Sequence, residues 1–264
     1  MAIKKLILAF GGLLLFLIVV TCLTLPDVSN LKKENPSSTA LMLQRDQEAK
    51  DTGKKLRKIQ MWVQYEAISN RLKTAVLIGE DDAFFQHQGY DLEQIKESFI
   101  KNWEKKSLVR GGSTITQQLA KNLYLSTSKN PLRKLKEFII ARRLEEQLTK
   151  RRIFEIYLNV IEWGDGIYGV EAASQTYFGK SSSTLTTSEA ALLAATIPNP
   201  RKMSPRHVTR RLKYRANLIL SRMLEYHHIS EKEYREALDE LEKPSHASLS
   251  LPSIFVSFSL ISMG

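Results

Sequence analysis

The strongest constraint on this chain is an uncharged apolar run near its N-terminus. Leu6 to Leu25 spans 20 residues without an acidic or basic side chain. A helix of that length is about 30 Å long, the hydrocarbon thickness of a bilayer. Lys4 and Lys5 precede the run, and lysines on one flank mark the end that stays in the cytoplasm. The expectation is a single-pass anchor in the cytoplasmic (inner) membrane. The N-terminus is then cytoplasmic and the rest of the chain periplasmic or otherwise extracytoplasmic. A cleaved signal peptide competes with this reading. It would have a shorter apolar core and a small-x-small site, and no such site follows Leu25. Cys22 is the only cysteine, so an intramolecular disulfide is excluded. With Thr21 before it, Cys22 reads as a membrane-buried thiol rather than a lipid-attachment site.

Beyond the anchor (residues 1–26) the chain divides by composition. Residues 27–58 are polar and charged, with Asn35-Pro36-Ser37-Ser38, and read as a stalk, helical from Leu41 to Lys58. Residues 59–243 read as the globular domain. Residues 244–264 form a tail, apolar from Leu249 to Met263, but Pro252 and several serines make it a poor spanning helix. The net charge of +11 favours an anionic partner: nucleic acid, an anionic membrane surface or a phosphorylated substrate. Nucleic acid drops out if the domain lies outside the cytoplasm.

Helical signals dominate the domain. Asp91 with Gln94 resembles an N-cap and its partner, opening a helix with Ile95, Phe99 and Trp103. Lys105 to Gly112 reads as a basic loop. Ser113 is placed to cap a helix running through Leu123. Asn130-Pro131 opens a helix to about Thr149, and Arg151 to Val160 a further one, broken by Gly164-Asp165-Gly166. Thr186 with Glu189 forms a capping box before Ala190 to Ile197, ended by Pro198 and Pro200. Val208 to Tyr226 fits another helix, and Ser230 with Glu233 caps the next. No internal repeat and no run of alternating strands is evident, so the fold is expected to be mainly α-helical.

Three patches carry candidate chemistry. The first is Glu80-Asp81-Asp82-Ala83-Phe84-Phe85-Gln86-His87-Gln88-Gly89. Glu80 lies near Ile78, Phe84 and Phe85, which would desolvate it and suit it to proton removal. A solvated acidic turn is the plain alternative. His87 reads as a structural histidine. The second patch is Gly111-Gly112-Ser113-Thr114-Ile115-Thr116-Gln117-Gln118, followed by Lys121-Asn122. On a helix, Thr114, Gln118 and Lys121 share a face, as do Gln117 and Lys121. Such a face suits sugar hydroxyls and a phosphate oxygen, or else is simply solvated. The third is Lys129 with Arg133-Lys134-Leu135-Lys136-Glu137. Cations near a helix N-terminus make an anion site. The alternative is a bare Arg133–Glu137 ion pair contributing about 0.2–0.5 kcal/mol. The adjacent His227 and His228 have no cysteine partner and read as a helix end.

Taken in order, these patches resemble the peptidoglycan glycosyltransferases of glycosyltransferase family 51. The resemblance continues through Arg152 to Asn159, Tyr168-Gly169-Val170-Glu171-Ala172-Ala173, Tyr177-Phe178-Gly179-Lys180 and Ser188 to Ala194, as far as Pro198-Asn199-Pro200. It implies a lysozyme-like helical domain over 59–243 with a smaller, mobile, membrane-associated jaw, in the monofunctional form. It implies that the enzyme polymerises lipid II into β-1,4 glycan strands with inversion and release of undecaprenyl diphosphate. Glu80 is then the base and Glu137 the second carboxylate. Ser113, Thr114, Gln117, Gln118, Lys121, Asn122, Lys129, Arg133 and Lys134 bind substrate. Lys129 stands where the family often carries arginine. No cofactor is required, though Glu137 leaves room for a divalent cation, magnesium or manganese. The implied partners are lipid II, the growing strand and the cytoplasmic membrane, with a transpeptidase or a divisome or elongation protein as a candidate. A lysozyme-like glycan hydrolase or lytic transglycosylase, and a non-enzymatic membrane-anchored scaffold, are the rival functions.

Overall fold

The structure is a computed structural model that describes residues 11–12, 25–55, 58–90, 112–125, 127 and 131–243. The expected membrane-spanning run apart from Gly11, Gly12 and Leu25, the helix from Asp91, the basic loop up to Gly111, Lys129, Asn130 and the 244–264 tail lie outside the described residues. Among the described residues, no helix is long and apolar enough to cross a membrane.

The described chain is mainly helical, as expected. Helix α1 (Ala40–Asp51) starts where Thr39 accepts the Met42 amide. Helix α2 (Asn70–Glu80) buries Leu72, Ala75, Val76 and Gly79, an i, i+3, i+4, i+7 stripe. A Cβ on Gly79 would stand 3.2 Å from Ile219 Cδ1, so glycine lets α2 seat closely on its neighbours. Then come α3 (Ile115–Tyr124), α4 (Pro131–Gln147) and α5 (Lys150–Val160). The last four are α6 (Val170–Phe178), α7 (Thr187–Thr196), α8 (Arg210–Glu225) and α9 (Glu231–Glu242). Pro131 occupies the first position of α4, where its missing N–H is not needed. The two capping boxes, Thr186 with Glu189 and Ser230 with Glu233, are both formed.

The helices pack as two groups on one continuous core. Helices α2, α8 and α9 surround α7, whose residues are nearly all buried. Helices α1, α4 and α5 pack on α3. A small sheet, in the order β1 (Ile59–Gln60), β3 (Ile167–Tyr168), β2 (Glu162–Gly164), packs against α6. Strand β1 pairs parallel with β3, while β2 and β3 form an antiparallel hairpin. The Gly164-Asp165-Gly166 segment turns this hairpin rather than ending α5, which stops earlier at Val160.

The segment expected as a free stalk is docked along part of its length. Val28 and Leu31 join the core, and Met42 is fully buried. The Arg152 guanidinium donates to the carbonyls of Leu31 and Glu34 and to Asn35 Oδ1, and Lys32 Nζ donates to Gln147 Oε1 at 2.6 Å. Helix α1 ends at Asp51 rather than Lys58, since Gly53 follows with φ +64°.

Candidate active site

The site forms where the two helical groups meet. Glu80 is the last residue of α2, and its side chain is about one-tenth exposed. Its Oε2 accepts a hydrogen bond from Gln118 Nε2 of α3 at 2.9 Å. Its Oε1 lies 3.9 Å from Arg215 Nη2 of α8, and Arg215 is held by its Nε donating to the Ala195 carbonyl. Gln118 Oε1 accepts the Tyr157 hydroxyl of α5 at 3.0 Å. Four helices thus converge on one carboxylate. The solvated-turn reading of Glu80 does not hold. Of the apolar residues expected to cover it, Ile78 and Phe84 are buried and Phe85 is half exposed, and the polar side chains of Gln118 and Arg215 lie against the carboxylate.

The next residue stitches the first two patches together. Asp81, 2% exposed, accepts the Ile115 amide at 2.9 Å through Oδ2 and bonds His87 Nε2 at 2.9 Å through Oδ1. The Gly89 amide donates to His87 Nδ1. A backbone N–H can only donate, so Nδ1 is the acceptor and Nε2 carries the proton to Asp81. His87 is therefore a structural histidine with both ring nitrogens bonded. The Thr114 hydroxyl closes the loop by donating to the Gly89 carbonyl at 2.8 Å. Gly89 has φ +87°, and a Cβ there would stand 3.1 Å from Glu145 Cγ.

Helix α3 is capped one residue later than expected. Thr114, not Ser113, accepts the Gln117 amide. That role buries Thr114 completely and removes it from the shared face proposed with Gln118 and Lys121. Gln117 and Asn122 are also buried; Asn122 Nδ2 donates to the Gln118 carbonyl. These residues form the wall of the site, while Ser113, Gln118 and Lys121 remain partly accessible.

The third patch closes over this wall. Glu137 is 3% exposed. Arg133 Nη1 donates to its Oε2 at 2.6 Å, and Lys134 Nζ to its Oε1 at 2.5 Å. Lys134 also reaches Ser113 Oγ at 3.1 Å and Gln117 Oε1 at 3.3 Å. The Arg133–Glu137 contact, which the plain alternative read as a bare helix-surface pair, is thus one side of a three-charge cluster around a buried carboxylate, with Arg133 partly and Lys134 half exposed. Lys121 belongs to it as well. Burial pushes its ammonium below the ordinary lysine value, and Arg133 and Lys134 push the same way, while Glu137 and Glu80 pull it back up. A desolvated cation of this kind is chemically suited to an added anion.

Sequence reasoning missed Arg215 and Tyr157. Each lies on a helix whose pattern reports only its own buried face. A charged residue at the edge of the Leu212, Ala216, Ile219 stripe was the one available hint for Arg215.

A carboxylate at one end of a polar wall, with clustered cations at the other, is an arrangement chemically suited to group transfer from an anionic donor. The chain belongs to the transglycosylase family, whose model matches residues 47–224. It is similar to the biosynthetic peptidoglycan transglycosylase of Methylobacillus flagellatus, 48% identical over 197 residues covering 72% of this chain and 83% of that one. The protein of the same description from Thiobacillus denitrificans is 54% identical over 170 residues, covering 63% and 72%. Among solved structures, penicillin-binding protein 1A from Haemophilus influenzae matches at 27% identity and a TM-score of 0.42, covering 72% of this chain and 18% of that one.

Proposed function

We propose that this chain is a peptidoglycan glycosyltransferase that polymerises lipid II into β-1,4 glycan strands. Family membership and the description carried by the relatives support the activity. The single observation behind the residue roles is that the start of α3 is bonded to both carboxylate patches: Gln118 donates to Glu80, and Ser113 and Gln117 accept from Lys134, whose ammonium also binds Glu137.

In this reading Glu80 takes the proton from the 4-hydroxyl of the acceptor sugar. An alcohol attacks poorly until a base accepts its proton, and the amide of Gln118 holds one carboxylate oxygen while the other lies 3.9 Å from Arg215 Nη2. The new C–O bond forms at the anomeric carbon of the growing strand as its bond to the diphosphate breaks. Attack from the opposite side inverts the configuration, and undecaprenyl diphosphate leaves with the bonding pair. Lys121, Arg133 and Lys134 stabilise that developing charge, where preorganised cations contribute most. Glu137 acts by holding Arg133 and Lys134 in place. Ser113 and Gln118 line the accessible wall, and Thr114, Gln117 and Asn122 support it from behind.

Both oxygens of Glu137 already receive cationic donors. Among the described residues, no group of three or more acids, histidines or cysteines is placed to hold a metal. This donor set does not fit a protein-held divalent cation, and no step is routed through one. A lysozyme-like lobe with a mobile jaw, a cytoplasmic-membrane anchor over residues 1–26, an extracytoplasmic domain over 59–243 and a partner transpeptidase complete the proposal.

The full chain incubated with lipid II, and separately with finished glycan, tests it. Strand growth without glycan cleavage, with or without a chelator, supports the reading. Cleavage without growth assigns a hydrolase, and neither activity leaves a scaffold.

A further inference from the structure

Tyr157 takes no part in the roles above, yet its hydroxyl is one side chain away from Glu80. The link is the Gln118 amide, which lies between a carboxylate on α2 and a hydroxyl on α5. The two ends of an amide have nearly the same shape and opposite hydrogen-bonding character. Facing Glu80 with its NH2 group, Gln118 supports an ionised carboxylate. Rotated, it would set an oxygen against that carboxylate.

We propose that Tyr157 is a positioning residue: its hydroxyl fixes the Gln118 amide with the NH2 end toward Glu80, and so fixes the aim of the base. The proposal rests on the reading of Glu80 as that base. A fully buried hydroxyl must give its proton to a protein acceptor, and Gln118 Oε1 lies 3.0 Å away. The ring is held by its complete burial in the core, with Phe154 beside it at a centroid distance of 6.3 Å. Burial, reinforced by the nearby Glu80 and Asp81 carboxylates, keeps the phenol protonated far above neutral pH. The hydroxyl is thus a permanent donor toward Gln118. The other charged groups facing this pair are Arg215 from α8, Lys121 farther along α3, and Asp81, whose carboxylate is tied to His87 and the Ile115 amide.

Tyr157→Phe removes the hydroxyl and keeps the ring. With lipid II as substrate, the full-chain variant is expected to lose about tenfold in kcat, with KM within about twofold of the parent. The acid limb of its kcat–pH profile moves to higher pH, because the carboxylate loses a fixed donor. Gln118→Met, which keeps the side-chain length, shifts the limb in the same direction and provides an independent arm if Tyr157→Phe folds poorly. Adding Tyr157→Phe to Gln118→Met has no further effect on the limb. A Tyr157→Phe enzyme with the parental kcat and limb overturns the proposal. So does a loss of rate with an unmoved limb, which is what a purely structural tyrosine gives. Turnover by Glu80→Gln would instead remove the base assignment itself, so the two failures are distinguishable.

Discussion

Asp81→Ala separates the structural work of the first patch from its chemistry. The Asp81 side chain is about 1% exposed and satisfies two buried donors, the Ile115 amide at 2.9 Å and His87 Nε2–H at 2.9 Å. Deleting the carboxylate strands both. An unpaired buried donor costs about 1–3 kcal/mol, so the sum is about 2–6 kcal/mol, a large share of the roughly 5–15 kcal/mol that holds a domain folded. Asp81→Asn keeps one acceptor. Its NH2 must then face a donor, because His87 cannot change tautomer without losing the Gly89 amide. Its expected loss is therefore intermediate, about 1–3 kcal/mol. The assay is guanidinium unfolding of the full chain in detergent, followed by tryptophan fluorescence, with the slope checked for constancy. A cycle with His87→Ala should give a coupling of about 0.5–3 kcal/mol. An Asp81→Ala midpoint equal to the parent's, or strict additivity with His87→Ala, would refute the idea that this carboxylate clamps the two patches.

Three other outcomes follow from the same geometry. Burial lowers the Lys121 pKa, so between its folded value and the ordinary 10.5 the unfolded chain binds more protons and stability rises with pH. Lys121→Met should lack that component, and identical slopes of unfolding free energy against pH for parent and variant would contradict it. Glu137→Gln weakens the anchor of Arg133 and Lys134, and kcat on lipid II is expected to fall about 100-fold; a near-parental kcat removes Glu137 from the mechanism. His227 ends α8 with φ +58°, its amide bonded to the Leu224 carbonyl and that of His228 to the Met223 carbonyl. His227→Gly should relieve that left-handed conformation and stabilise the fold by about 0.5–1 kcal/mol, which thermal melting would test; a lowered melting point counts against it.

What could be read from the sequence was mostly local. Capping boxes, the proline opening α4 and the apolar stripes depend on neighbours a turn away, and they appear where expected. The cap of α3 slipped by one residue because Ser113 and Thr114 are both eligible. Distant partners decide between them: Lys134 takes the serine, and the Gly89 carbonyl takes the threonine. The small sheet was invisible because its strands are two or three residues long and β1 pairs with a strand far along the chain. Docking of residues 28–51 was missed because Val28, Leu31 and Met42 are sparse among charges. In the site, helix spacing grouped residues that the fold brings close together but assigned Thr114 to the wrong face, since a capping side chain turns back onto its own helix. Arg215 and Tyr157 reach Glu80 only through tertiary packing, which no local pattern encodes.

The most direct measurement is strand growth from lipid II by Glu80→Gln, run beside binding of a lipid-linked diphosphate to the same preparation. The account predicts a folded protein that still captures the diphosphate yet builds no glycan, because the acceptor hydroxyl keeps its proton. Glycan made at anything near the parental rate would show that this glutamate does not remove it.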